Sequence, residues 1–304
     1  MPGRPTLTGD PATAAVRAPG RPPVVGEIAN VDMAASWDGP EGAAWASRVV
    51  ERDRQLARYH RALMEAAAIA AGDRVLGGGC GHGQTSVDAA RRASAGFVRG
   101  VDLSAAMLTR ARERAAAADV VNVAFERADA QVHPFEPGGC DLVLSRFGVM
   151  FFADPTAAFA NLRAATAAGG RLCVLTWQPS GANEWISLIR DAVDVAGTLP
   201  GPADDRPGPF GLATPGRVRG LLQDAGWHGV ELGPVAEPMD FGATTEEAVQ
   251  IASEVGLVRA AVAGYHRDTR ARAMARLTEM LDRHRSSDGV LLGAAAWLVR
   301  AAAA

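Results

Sequence analysis

The sequence predicts an α/β fold, a mainly parallel sheet with helices on both faces. Three observations carry that prediction. Strand-like and helix-like stretches alternate from about residue 54 onward, the pattern that covers a parallel sheet on both sides. A glycine-dense turn, Gly77 to Gly83, joins the first of these strands to a helix. The chain of 304 residues, 48% hydrophobic, is long enough to bury a full core.

The elements follow in order. Helix "RQLARYHRALMEAAAIA" precedes strand "DRVLGG", and helix "GQTSVDAARRAS" follows it. Strand "GFVRGVDL", helix "SAAMLTRARERAAAAD" and strand "VAFERADA" come next, then a connector ending at Gly139. Strand "CDLVLSRF" leads to helix "DPTAAFANLRAATA", and Gly169-Gly170 separates that helix from strand "RLCVLTWQP". Two helix starts are chemically marked: Ser104 is placed to cap, and Asp154-Pro155 puts proline at a first helical position.

Beyond Pro179 the texture changes. "NEWISLIRDAVDVA" is amphipathic, "TLPGPADDRPGPFG" is turn-rich, and "TPGRVRGLLQDAGWHGVELGPV" reads as a helix, a Gly226 cap and a strand. Two helices are expected between Met239 and Asp288, the second with Met274, Leu277 and Leu281 on a core-facing stripe, before a final strand "GAAAWLVRA". These helices read as a cap.

Composition excludes several roles. Lysine is absent, so all 31 basic residues are arginine, and against 34 acids they leave a net charge of −3. That balance lacks the basic footprint of a nucleic-acid binder. Cys80, Cys140 and Cys173 are odd in number and too far apart for a metal-ligand signature, so no metal site is expected. No window approaches the roughly 18 to 20 apolar residues of a membrane span. Residues 1–26, rich in Pro, Gly and Ala, lack a signal-peptide core and read as a flexible leader, so a cytoplasmic location is expected.

The glycine turn points to chemistry. Glycines 79, 81 and 83 lie between a strand and a helix, where backbone amides at a helix N-terminus can hold an anionic group. The spacing G-x-G-x-G differs from the dinucleotide pattern G-x-G-x-x-G and disfavours a dehydrogenase. Asp102 ends the next strand 23 residues after Gly79, near the roughly 20 at which a carboxylate meets a ribose diol. Asp129, at the end of the third strand, borders the same crevice and is placed to reach an adenine amine.

Taken together, "RVLGGGCGHGQT", "GVDLSAAMLTRARERA", "ADAQVHPF", "CDLVLSRFGVMFFADPTAAFANL" and "AAGGRLCVLTWQP" resemble the class I S-adenosylmethionine-dependent methyltransferases, in their ubiquinone/menaquinone-biosynthesis-like small-molecule branch. The resemblance spans about residues 55–180. It implies a Rossmann-like seven-stranded sheet in the order 3-2-1-4-5-7-6, with "GVELGPV" sixth and "AAAWLVRA" as the antiparallel seventh. It implies one catalytic domain over 27–304, with lid or cap elements at about 27–60, 181–212 and 239–288. S-adenosylmethionine is the implied cofactor, held by Gly79, Cys80, Gly81 and Gly83, by Asp102 and Leu103, by Asp129, Ala130 and Gln131, and by Ser145 and Arg146. One departure stands out: members usually carry an acid where this chain has Gly77.

Histidine is the best-tuned base for methyl transfer to a hydroxyl or an acidic carbon. His60 and His133 are the candidates, while His82 lies inside the glycine loop. Trp37, Phe147, Met150, Phe151, Trp177 and Trp185, with Trp45 nearby, suggest a largely apolar pocket for a small organic acceptor. Two other readings stay open: a methyltransferase-like fold that catalyses a cyclisation or rearrangement, and a silent binding subunit. The oligomeric state, homodimer included, is not fixed by the sequence.

Overall fold

The protein is described by a computed structural model over residues 26–304. The predicted leader therefore lies outside the described residues, apart from Gly26.

Four short helices open the described chain: α1 (Val31–Trp37), α2 (Pro40–Ser47), α3 (Val49–Gln55) and α4 (Ala57–Ala66). The single helix expected over residues 54–70 is instead α4 with the end of α3, because Leu56 leaves helical geometry and Ala68 turns the chain with φ +44°. Tyr59, Leu63 and Met64 of α4 are buried in the core.

The βα series follows as predicted: β1 (Arg74–Gly78), α5 (Gln84–Arg92), β2 (Phe97–Asp102), α6 (Ala105–Ala117), β3 (Val123–Arg127), β4 (Cys140–Arg146), α7 (Pro155–Ala165) and β5 (Thr166–Trp177). Ser104 caps α6, its side chain accepting the Met107 N–H, and Asp154 caps α7 by accepting from Ala157. β5 begins at Thr166 rather than after Gly170. Cys140 pairs with Thr166 and Leu142 with Arg171, so the residues between, Gly169 at φ +74° among them, bulge out while pairing continues on either side.

The remainder comprises α8 (Glu184–Val193), α9 (Pro215–Asp224), β6 (Trp227–Ala236), β7 (Met239–Asp240), α10 (Thr245–Ser253), α11 (Gly256–Ala263), α12 (Arg267–Asp282), β8 (Arg285–Ser286), β9 (Gly289–Leu292) and β10 (Ala295–Ala303). Three helices therefore stand where two were expected, since the chain is extended at Val255 and again at His266. Leu277 and Leu281 are fully buried, as their spacing implied, with Met274 packed against the same core.

The main sheet has seven strands in the order β3-β2-β1-β4-β5-β10-β6. β10 is the seventh strand of this sheet and runs antiparallel to both neighbours, so the order is the predicted 3-2-1-4-5-7-6. A second sheet, β7-β9-β8, was not foreseen, because its strands are only two to four residues long. One apolar cluster joins α4, α5, α8 and α10–α12 to one face of the sheet, and another joins α7 and α9 to the opposite face. Among the described residues no helix is long and apolar enough to cross a membrane.

Candidate active site

The carboxyl ends of the parallel strands open into a cavity of about 690 Å³. This is where ligands bind in open α/β sheets, beside the point at which strand order reverses, here between β1 and β4. Its floor is the β1–α5 turn. Gly79 has φ +61°, and a Cβ there would lie 2.8 Å from Gly148 Cα. The turn after β1 and the turn after β4 thus touch backbone to backbone, a packing that a side chain at either position would pry apart.

Asp102, half-buried at the end of β2, forms the next part of the wall. Its Oδ2 accepts the Gly81 N–H at 2.8 Å and its Oδ1 accepts the Ser104 N–H at 2.9 Å. Burial raises its carboxyl above the ordinary value, against the pull of the Ser104, Gly81 and Leu103 amides. Each oxygen keeps acceptor capacity beyond its one amide, as pairing with a diol requires.

Asp129 lines the cavity and also makes structural bonds. Its Oδ2 accepts the N–H groups of Ala29 and Asn30, at 3.0 and 2.9 Å, and its Oδ1 accepts the Gln131 N–H at 3.0 Å. The carboxylate expected beside an adenine amine thus also seats the segment entering α1. Gln131 lies behind it, donating to Asp129 and accepting the Asp154 N–H, and does not line the cavity. Leu103 and Ala130 do line it. Gly83 stands back as well: at φ +84° it starts α5 where a Cβ would press on Ala111.

At the end of β4, Ser145 and Arg146 reach the cavity. Arg146 donates to Gln84 Oε1 and lies 3.9 Å from Asp53 on α3. Asp53 also binds His82 Nε2 at 2.6 Å and Arg114 at 2.5 Å. Burial pulls Arg146 down to about 10, which leaves it charged at neutral pH. Burial likewise lowers the His82 imidazole, against the raising effect of Asp53, and its buried Nδ1 has no hydrogen-bond partner among the described residues. Burial works to raise the Asp53 carboxyl, yet His82, Arg114 and Arg146 together hold it below the ordinary range.

The predicted aromatic residues form two groups on the cavity wall. Trp37 meets Phe151 edge-on at 5.2 Å and Trp45 at 6.0 Å. Phe147 stacks on Trp177 at 3.9 Å, and Trp177 continues to Trp185 at 5.9 Å. Met150 joins them, its sulfur accepting the Trp177 N–H. Phe147 holds this stack with φ +61°, a strained conformation for a bulky residue.

Neither His60 nor His133 lines the cavity. His60 binds Asp88 at 2.9 Å between α4 and α5, while His133 is buried against Phe135 and 3.6 Å from Glu126. Among the described residues His82 is the histidine on the cavity wall. Other wall residues escaped individual notice although they fall inside the expected lid segments. Arg52 of α3 pairs with Glu254 at 2.9 Å and Gln55 at 3.0 Å, with its guanidinium 4.6 Å over the Trp45 ring. Phe210 closes the turn-rich segment against Trp185. The i, i+3 pairing of Arg52 with Gln55 was visible in sequence, but nothing there indicated that α3 would cover the sheet. Among the described residues no group of three or more His, Cys, Asp or Glu side chains is gathered for a metal ion.

Comparison with known proteins fits this geometry. Residues 75–170 match the family described as Methyltransferase domain. Residues 75–170 therefore carry a methyltransferase domain. It is 36% identical over 122 residues to the demethylmenaquinone methyltransferase of Thermus thermophilus, covering 40% of this chain and 55% of that one. It is 32% identical over 113 residues to the aklanonic acid methyltransferase DauC of a Streptomyces species, covering 37% and 51%. The chain thus spans about half the length of these curated relatives. The crystal structure of the YcgJ protein from Bacillus subtilis superposes with a TM-score of 0.55 at 15% identity, over 80% of this chain and 97% of that one, which shows the shared fold.

Proposed function

We propose that the protein transfers a methyl group from S-adenosylmethionine to a small, largely apolar organic acceptor. The observation that carries this is the division of one cavity into two walls. The glycine turn and Asp102 form a polar wall at the strand ends, and Trp37, Phe147, Phe151, Trp177 and Trp185 form an apolar wall facing the same space. The residues present fit the cofactor. Asp102 retains acceptors for the ribose hydroxyls, Leu103 and Ala130 offer an apolar flank to the adenine, and the turn after β1 leaves room for the amino-acid end.

When bound, S-adenosylmethionine supplies an electrophilic methyl group on a sulfonium centre. The chain's own contribution is positioning: the aromatic walls hold an acceptor flat and dry, and helices α1–α3 with the 202–210 segment line the same cavity. Glu41 and Glu254, the carboxylates of the lid side, are each paired with arginines. The cavity therefore suits an acceptor whose nucleophilic atom needs little help in losing its proton. A place in specialised metabolism and the lid roles of 27–60, 181–212 and 239–288 belong to this reading.

Incubating the protein with S-adenosylmethionine and a panel of aromatic and quinone-like acceptors tests it. Formation of S-adenosylhomocysteine together with a methylated product supports it. A product formed without S-adenosylhomocysteine would replace it with a cyclisation or rearrangement.

A further inference from the structure

The acid expected at the end of β1 is missing, and what stands beside its place has the opposite charge. Gly77 pairs with Leu144 across β1 and β4, and side chains two residues apart share a face, so Arg146 projects on the same side of the sheet as position 77. Its side chain is 8% exposed and lines the cavity with Gly77, Gly79 and His82. Among the described residues the guanidinium has one neutral partner, Gln84 Oε1, and one distant carboxylate, Asp53 at 3.9 Å. That carboxylate is already shared by Arg114 at 2.5 Å and by His82 at 2.6 Å. Asp88, which also attracts Arg146, is committed to His60 and Arg91. Two guanidinium charges thus share one carboxylate, beside an imidazole whose charging burial disfavours. A buried excess of positive charge on a cavity wall is costly unless an anion completes it.

The proposed cofactor has two charged groups at its amino-acid end, an ammonium and a carboxylate. An acid at position 77 would serve the ammonium. In this chain we infer that Arg146, steadied by Gln84, is the receptor for the α-carboxylate, and that the carboxylate rather than the ammonium is the charged handle by which the donor is recognised. The inference rests on the cofactor reading given above. Gly77 belongs to the same device, since a Cβ there would lie 3.1 Å from Ser86 Oγ and an aspartate would bring a competing anion to the face that Arg146 shares.

The test is calorimetric titration of the full chain with S-adenosylmethionine and with decarboxylated S-adenosylmethionine, which differs only in lacking the carboxylate. The unaltered protein is expected to bind the decarboxylated ligand at least about tenfold more weakly, the scale of a charge-assisted contact. In Arg146→Gln the affinity for S-adenosylmethionine falls by a similar factor while the decarboxylated ligand is little affected, so the ratio closes. Arg146→Lys keeps part of the ratio. Equal affinities in the unaltered protein would overturn the inference while leaving the cofactor reading intact, as would a ratio that persists in Arg146→Gln. Failure of both ligands to bind would bring down the cofactor reading and the inference with it.

Discussion

Asp129 accepts the backbone N–H of Asn30 at 2.9 Å, tying the start of the first described helix to the end of β3. The second Asp129 contact, from Ala29, and the bond from Asn30 Nδ2 to the Phe151 carbonyl make this a clasp rather than a single bond. Asp38 adds another, accepting from Ala105 at the start of α6 and from Arg127 at the end of β3.

Asp129→Ala leaves the Ala29 and Asn30 backbone amides without their acceptor. The expected result is a loss of about 1–3 kcal/mol in stability. Hydrogen exchange of residues 29–47 should rise more than exchange of β1 or β4. Unchanged exchange over residues 29–47 would show that the clasp does not hold that segment.

Phe147 gives a test of backbone strain. At an ordinary strand end Ala is more stable than Gly by about 0.5–1 kcal/mol. At φ +61° the order should invert, because only Gly enters that region freely. Thermal melts of Phe147→Gly and Phe147→Ala are expected to place the Gly variant at or above the Ala variant, with both below the unaltered protein for loss of the Trp177 stack.

The His82–Asp53 pair sets a pH dependence whose sign can be worked out. The His82 value in the folded chain is below the ordinary 6.5, so the unfolded chain takes up the proton first as pH falls. Stability from this group is present above about pH 6.5 and is lost as pH drops through the lowered value. Asp53, also lowered, adds a further loss below its ordinary 3.8. Melting temperature should therefore decline from about pH 6.5 downward, and the decline between pH 6.5 and 5 should be shallower in His82→Gln.

Gly79→Ala places a methyl group 2.8 Å from Gly148 Cα at a positive φ. It should separate the two turns that floor the cavity, lowering S-adenosylhomocysteine affinity by about tenfold or more and costing about 1–2 kcal/mol in stability. Gly72→Ala, where no atom of the described residues lies within 4 Å of the added carbon, is the control expected to leave affinity unchanged.

The sheet was legible because each strand of the βα series is bounded by a turn or a cap written in local residues: Ser104, Asp154-Pro155, Gly226. The glycine turn, Asp102 and the aromatic wall were legible for the same reason, since strand ends must meet along one edge of a parallel sheet. What was not legible depends on contacts between distant segments. The bonds that Asp129 accepts from Asn30 and Ala29 span 99 and 100 residues, so no local pattern announces them. His60 and His133 read as bases from their chemistry, and packing gave them Asp88 and Phe135 instead. Arg52 became a wall residue only once α3 folded across the strand ends to meet Glu254. The extra break between α10, α11 and α12 had no proline to announce it.

Calorimetric titration with S-adenosylhomocysteine, run on the unaltered protein and on Asp102→Ala, tests the cofactor assignment most directly. Micromolar binding by the unaltered chain that Asp102→Ala weakens by about tenfold or more is the predicted result, since a paired diol contact to a charged acceptor is removed. Binding that is absent from the unaltered chain, or indifferent to Asp102→Ala, would contradict it.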